Sequence, residues 1–275
     1  MDFASIKINA FRRCIESKQR QTSLFKQKLI FLALFRALKS QLPSMAQFHF
    51  VDDYQQHVRT LLDTHSRDEA MSLAVGGEWD RLGEMLSDFV LDLGVSNGMR
   101  LLDFGCGSGR LAYYLKQKCE LSGYVGLDVV DELLDYAREK VPTPEYVFQN
   151  NQSLSLPTDL GVFDVICSFS VFTHLLQTEI YLYLRAMEQS LVPGGQFIFS
   201  FIELDTHWPV FELSCEAHAH HGQPHPHLNQ FLEKSQVTTM LQHLGFETIH
   251  FVEADRGIGQ TVAIAIKPMG SSSGV

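Results

Sequence analysis

Residues Leu101 to Arg110 read LLDFGCGSGR. Two apolar residues lead to a carboxylate, and glycines then fall at every second position. This spacing predicts a buried strand that runs out at Phe104. The backbone then turns through Gly105, Gly107 and Gly109, and a helix begins near Leu111. Glycine is required where a turn takes φ > 0, or where a ligand must reach the main chain with no Cβ in the way. A helix N-terminus at that point offers free N–H groups to a polar ligand.

Two kinds of nucleotide-like ligand use such a turn. A dinucleotide asks for G-x-G-x-x-G, with pyrophosphate on the helix N-terminus. Here the spacing is G-x-G-x-G, and Asp103 stands two residues before the first glycine. A carboxylate there repels a pyrophosphate and attracts an ammonium group. An adenosyl ligand with an amino-acid tail and a sulfonium centre suits it better.

On these residues the chain resembles the class I S-adenosylmethionine-dependent methyltransferases, over roughly Trp79 to Lys267. The resemblance implies a Rossmann-like α/β fold. This is a doubly wound, seven-stranded, mainly parallel sheet with the last strand antiparallel, here with an N-terminal helical extension. It implies S-adenosyl-L-methionine as cofactor. The D-x-G-x-G-x-G segment would hold the methionine part, which maps onto Asp103, Gly105, Cys106, Gly107 and Gly109, with the Cys106 side chain turned to the core. The next strand, YVGLD, ends in Asp128, 23 residues after Gly105, and matches the ribose-binding acid, with Val129 beside it. Asn151 and Gln152, after a third strand at 146–149, fall where the family contacts the adenine edge. After the fourth strand, FDVICSFS, the resemblance places Ser168 and Phe169 by the cofactor's amino group, which the carbonyl near Phe169 would accept.

The flanking pattern agrees with one α/β domain. Strand five is expected at 196–202 after the turn VPGG, and two strands, at 246–253 and 260–266, close the sheet. The organisation reads as a basic segment 1–44 and a helical lead-in 45–94. The methyltransferase domain follows at 95–268, with an insertion or lid at 203–231, and then a tail at 269–275 without fixed structure. Three readings of 1–44 stand open: a helix capping the domain, a basic membrane-surface or targeting segment, and a translation start at Met45.

Net charge is −10, unevenly spread. Residues 1–44 carry nine Lys or Arg against Asp2 and Glu16, while the rest carries 13 against 30. So acidic a body argues against a nucleic-acid substrate. No apolar run reaches the roughly 18 residues of a membrane span. Five scattered cysteines fit a reducing, cytoplasmic compartment rather than a disulfide framework.

Methyl transfer needs alignment and exclusion of water more than it needs a base. His174, just past strand four, is the candidate base; its alternative is a plain rim or helix-capping histidine. Trp79 and Arg81, before a helix, and His207, Trp208 and Phe211, in the insertion, are candidates for acceptor contact. The histidines at 218–227 lack a tight ligand pattern, so no metal is expected. The D/N-P-P-Y/F segment of exocyclic-amine methylation is absent after strand four, where the chain reads Ser168-Phe169-Ser170-Val171, and Cys167 lacks the context of a C5-methylation nucleophile. The acceptor is therefore expected to be a small metabolite or a glycan-type molecule. The rivals are a non-catalytic binder of the same cofactor, a protein methyltransferase and a nicotinamide-dependent oxidoreductase.

Overall fold

The computed structural model describes residues 48–221, 229–254 and 258–270. The basic segment 1–44 and most of the histidine run 218–227 lie outside the described residues.

Three helices lead in: α1 (His49–Thr64), α2 (Arg67–Leu73) and α3 (Trp79–Asp92). Leu86 and Val90 of α3 lie one turn apart and are buried, and Gly94 stops the chain just past the helix with φ +102°. The domain then alternates strand and helix. Its elements are β1 (Arg100–Phe104), α4 (Arg110–Lys118), β2 (Gly123–Asp128), α5 (Asp131–Lys140), β3 (Tyr146–Asn150), β4 (Phe163–Ser168), α6 (Gln177–Ser190), β5 (Leu191–Glu203), α7 (Trp208–His221), β6 (Phe231–Leu232), α8 (Lys234–His243), β7 (Thr248–Val252) and β8 (Thr261–Ile266).

The strand order is β3-β2-β1-β4-β5-β8-β7, with β6 added on β5. β1 pairs in parallel with both β2 and β4, so the order reverses beside β1. Crevices at such a reversal, beyond the strand C-termini, are where α/β sheets bind ligands. β8 runs antiparallel between β5 and β7.

Strand alternation builds two cores. Leu102, Ile166 and Phe197 face α6 and α8 through Ile180, Leu184, Val237 and Leu241. Their neighbours Leu101, Val165 and Ile198 face the other side, with Leu115 of α4, Leu134 of α5 and Val90 of α3.

Two expectations need correction. The sheet has eight strands rather than seven, because the two residues of β6 pair in parallel with Ile202 and Glu203. The VPGG turn belongs to β5, which starts at Leu191. The Gly194 N–H reaches the Lys267 carbonyl (3.0 Å) and the Lys267 N–H reaches Gly195 (2.9 Å), so the ladder captures the turn. Within the 203–231 insertion, residues 208–221 are helix α7.

Candidate active site

The glycine loop is forced by crowding as well as by backbone angle. Gly105 has φ +76°, and a Cβ there would stand 2.1 Å from Val171 Cγ2. At Gly107, with φ +54°, the clash would be with Val75 Cγ1 at 2.4 Å. The N–H groups of Gly105 and Cys106 both donate to the Leu127 carbonyl (2.7 and 3.0 Å), which clamps the loop to the end of β2.

Two carboxylates flank this loop. Asp103 is 3% exposed and accepts the hydroxyl of the buried Tyr124. Burial pushes its carboxyl up to about 7, against the pull of that hydroxyl. Asp128 ends β2. Its Oδ2 accepts from Gly107 N (2.9 Å) and its Oδ1 from Val129 N (2.8 Å) and Val130 N (3.1 Å). Burial raises its carboxyl too, with those three N–H groups opposing. A carboxylate has roughly four acceptor positions. Oδ1 is therefore filled, and Oδ2 keeps one open position.

A cavity of about 340 Å³ opens beyond the ends of β1, β2 and β4. Of the residues singled out in the sequence, Asp103, Gly105, Cys106, Gly107, Asp128 and Val129 line it. So do Asn151, Phe169 and His174. Asn151 spends part of its amide on its own turn, donating to Ser155 O (3.1 Å) and accepting from Ser153 Oγ (2.9 Å). The Cys106 thiol is buried, and burial pushes its pKa well up. His174 ends the 3-10 turn Phe172–His174, with its ring 5.2 Å from that of Tyr54.

The other candidates lie off this cavity. Gly109 packs on Ala137, and Gln152 is exposed with Nε2 donating to Val129 O (3.2 Å). Ser168 is fully buried, its hydroxyl without a partner among the described residues. Trp79 stands among Tyr113, Tyr114 and Tyr136, and its Nε1 donates to Ser108 Oγ (2.9 Å). Arg81 is held by Glu78 at the surface. His207 sits between the carbonyls of Glu203 (3.1 Å) and Gly259 (3.0 Å). Trp208 packs on Phe211, and Phe211 on Phe231.

Sequence reasoning missed several residues that line the cavity. Phe50, Tyr54 and His57 project from α1, Arg110 opens α4, and Tyr183 comes from α6. Burial raises the Tyr54 hydroxyl and lowers the His57 imidazole. Phe50, Tyr54 and His57 fall at i, i+4 and i+7, one face of a helix, which is a signal the pattern carried. Arg110 directly follows the last glycine. Ser170 adopts φ +57° at the cavity wall, with its N–H on Ser200 Oγ (2.7 Å). Nothing in its neighbours marks that strain.

The family described as a methyltransferase domain matches residues 102–199, which contain the glycine loop, both acids and the end of β4. Those residues carry a methyltransferase domain, and the chain as a whole resembles the class I S-adenosylmethionine-dependent methyltransferases in fold. An uncharacterized methyltransferase of Synechocystis is 26% identical over 181 residues, 63% of this chain and 81% of that protein. A demethylmenaquinone methyltransferase of Staphylococcus aureus is 27% identical over 157 residues, 53% of this chain and 62% of that one. Among solved structures, magnesium protoporphyrin IX methyltransferase from Synechocystis, with bound S-adenosylhomocysteine, aligns with TM-score 0.54 at 16% identity. That alignment covers 77% of this chain and 93% of that one. An O-methyltransferase family protein from Burkholderia thailandensis aligns with TM-score 0.59 at 19% identity, covering 79% and 64%. The same magnesium protoporphyrin IX methyltransferase has also been solved with bound S-adenosylmethionine, and no helix among the described residues of this chain is long and apolar enough to cross a membrane.

Proposed function

We propose that the cavity holds S-adenosylmethionine and that a small-molecule acceptor enters on the side of α1 and His174. The observation that supports this most is the convergence of Asp103, the glycine loop and Asp128 on one cavity at the sheet's reversal point. The residues fit the cofactor chemically. Asp103 offers a buried carboxylate to the ammonium of the methionine tail. Asp128 offers its one open Oδ2 position to a ribose hydroxyl, a smaller share than a free carboxylate would give. Val129 and Leu133 offer apolar surface to the adenine, with Asn151 at its edge. Once bound, the cofactor supplies an electrophilic methyl group on sulfur.

The protein's part in transfer is alignment and dryness. Phe50, Tyr54, Leu73 and Leu175 give the cavity an aromatic and aliphatic wall, which suits an acceptor with an apolar body. His174 lines the same space and would take the acceptor's proton at an imidazole nitrogen. The acidic body supports a small metabolite or glycan-type acceptor over a nucleic acid. The unpaired cysteines at 106, 119, 167 and 215 support a cytoplasmic site of action.

Transfer of label from methyl-labelled cofactor to a panel of small acceptors, lysate proteins and RNA tests this reading. Label on small molecules alone is the expected result. Label on protein or RNA alone overturns the acceptor assignment.

A further inference from the structure

Ser170 carries backbone strain at the cavity wall. Its φ is +57°, and Glu78 is the other non-glycine residue at positive φ among the described residues. Glycine takes such an angle freely, whereas a Cβ there meets a backbone penalty. Three other stretches of chain hold the conformation. The Ser170 N–H donates to Ser200 Oγ of β5 (2.7 Å), and that buried hydroxyl donates to Gln260 Oε1 (2.7 Å), just before β8. The Ser170 carbonyl accepts from Thr173 Oγ1 (3.2 Å) in the 3-10 turn. Both backbone polar groups are therefore fixed, while the Ser170 hydroxyl makes no hydrogen bond among the described residues. Strain held in place at a cavity wall is characteristic of a working side chain.

The neighbours of Ser170 define its place. Phe169, one residue back, lines the cavity, and Val171, one residue on, packs against Gly105 of the glycine loop. The His174 N–H closes on the Val171 carbonyl (3.0 Å), so Ser170 and His174 belong to one turn. Ser170 thus stands where the donor wall passes into the acceptor wall. Toward the acceptor side the polar groups are hydroxyls and imidazoles, from Tyr54, His57, Ser170 and His174. Among the described residues the acids that line the cavity are Asp103 and Asp128, and both flank the glycine loop. A protonated amine would meet no carboxylate on the acceptor side, whereas an oxygen-bearing head finds hydrogen-bond donors there.

We propose that the Ser170 hydroxyl hydrogen-bonds the oxygen-bearing head of the acceptor, a hydroxyl or carboxyl group on an apolar body, and so sets both its position and its class. The inference rests on the reading of this cavity as the site of methyl transfer. In that step a lone pair of the acceptor oxygen forms the new C–O bond, and the methyl–sulfur bond breaks with its electron pair left on sulfur. The proton of a hydroxyl passes to His174, and a carboxylate has none to lose. Ser200 and Gln260 are positioning residues that act on the acceptor through Ser170.

Methyl-labelled S-adenosylmethionine is supplied with matched octyl and aryl compounds that differ only in head: carboxyl, hydroxyl or amino. Wild type, Ser170→Ala and Ser170→Gly are compared. The wild type is expected to label the oxygen heads and not the amines. Both variants should lower kcat/KM for the labelled head about 3- to 10-fold, the worth of one neutral hydrogen bond. Calorimetric affinity for S-adenosylhomocysteine should stay within about twofold of wild type. The variants part in chemical denaturation, where Ser170→Gly, free of the strain, should unfold at a higher denaturant concentration than Ser170→Ala or wild type. A wild type that labels amines in preference, or none of these compounds, overturns the proposal, and so does an unchanged kcat/KM in Ser170→Ala. Equal midpoints for Ser170→Gly and Ser170→Ala remove the strain and overturn it as well. A wild type that gives no heat with S-adenosylhomocysteine sinks the cofactor reading of the cavity first, which is a different failure.

Discussion

The cavity wall that carries Asp103 and Asp128 comes from a short piece of chain, whereas the wall that carries Tyr54 and His174 comes from distant ones. The first uses residues 103–110 and 128–129, on two strands whose register sets Asp103 beside Gly126 and Phe104 beside Leu127. The second gathers Phe50 and Tyr54 from α1, Val75 from the turn after α2, His174 from a 3-10 turn and Tyr183 from α6. Its parts meet through ring contacts, Phe50 on Tyr183 and Tyr54 on His174, and through His49 on Glu179 at 3.1 Å. A donor common to many reactions can be held by local geometry. An acceptor peculiar to one enzyme is met by surfaces that helix packing can change without disturbing the donor's cradle.

That division is open to attack by substitution. On the acceptor wall, His174→Ala should lower turnover about 100- to 10,000-fold if the imidazole takes a proton. Cofactor affinity should stay within about twofold, since the proposed arrangement gives that wall to the acceptor. A rate that survives the change, measured with a responsive acceptor, returns His174 to a rim role.

On the donor wall, Asp128→Ala should cost roughly 2–4 kcal/mol in chemical denaturation, because three backbone N–H groups lose their acceptor together. It should also abolish cofactor heat. A variant that unfolds at the wild-type denaturant concentration would mean that those N–H groups find water without penalty.

Similar in its stability cost but without a lost cofactor contact, Gly105→Ala should cost about 1–2 kcal/mol for a Cβ at positive φ and about 1–3 kcal/mol for the clash with Val171. Adding Val171→Ala should recover the second part and leave the first. Additive losses in that double-mutant cycle would disprove the contact.

The smallest effect belongs to the insertion. Trp208 is 48% exposed and lies off the cavity. Trp208→Ala should change stability by about 0.5 kcal/mol or less and leave cofactor affinity unaltered. A marked loss of cofactor heat would bring α7 into the site.

The same contrast explains what could be read in advance. LLDFGCGSGR and YVGLD announce strand ends, a glycine turn and two acids because each signal lies within a few residues, and the strands place them together. The eighth strand was illegible because Phe231 and Leu232 are too few to show alternation. Pro193, Gly194 and Gly195 read as a bare turn, and only the approach of Lys267 makes them part of a ladder. Tyr54 and His57 share a helix face that was visible, but what that face meets depends on how α1 docks. Arg110 gives no such signal, because a charged residue opening a helix normally points to water, whereas here it lines the cavity. Trp79 has the composition of a site residue, yet its indole N–H is spent on Ser108.

The central claim is that a buried carboxylate at Asp103 grips a cationic methyl donor, and binding as a function of pH tests it most directly. Burial holds the Asp103 carboxyl near pH 7 in the free protein, so below that value it must give up a proton to meet the ammonium. The donor's own α-amino group, with an ordinary pKa of about 7.7–8.0, stays protonated there. Calorimetry between pH 5.5 and 7 should show wild-type affinity for S-adenosylmethionine rising by up to about tenfold per pH unit, and Asp103→Asn should bind weakly with no such slope. Equal affinities and parallel pH profiles for the two proteins would contradict the account.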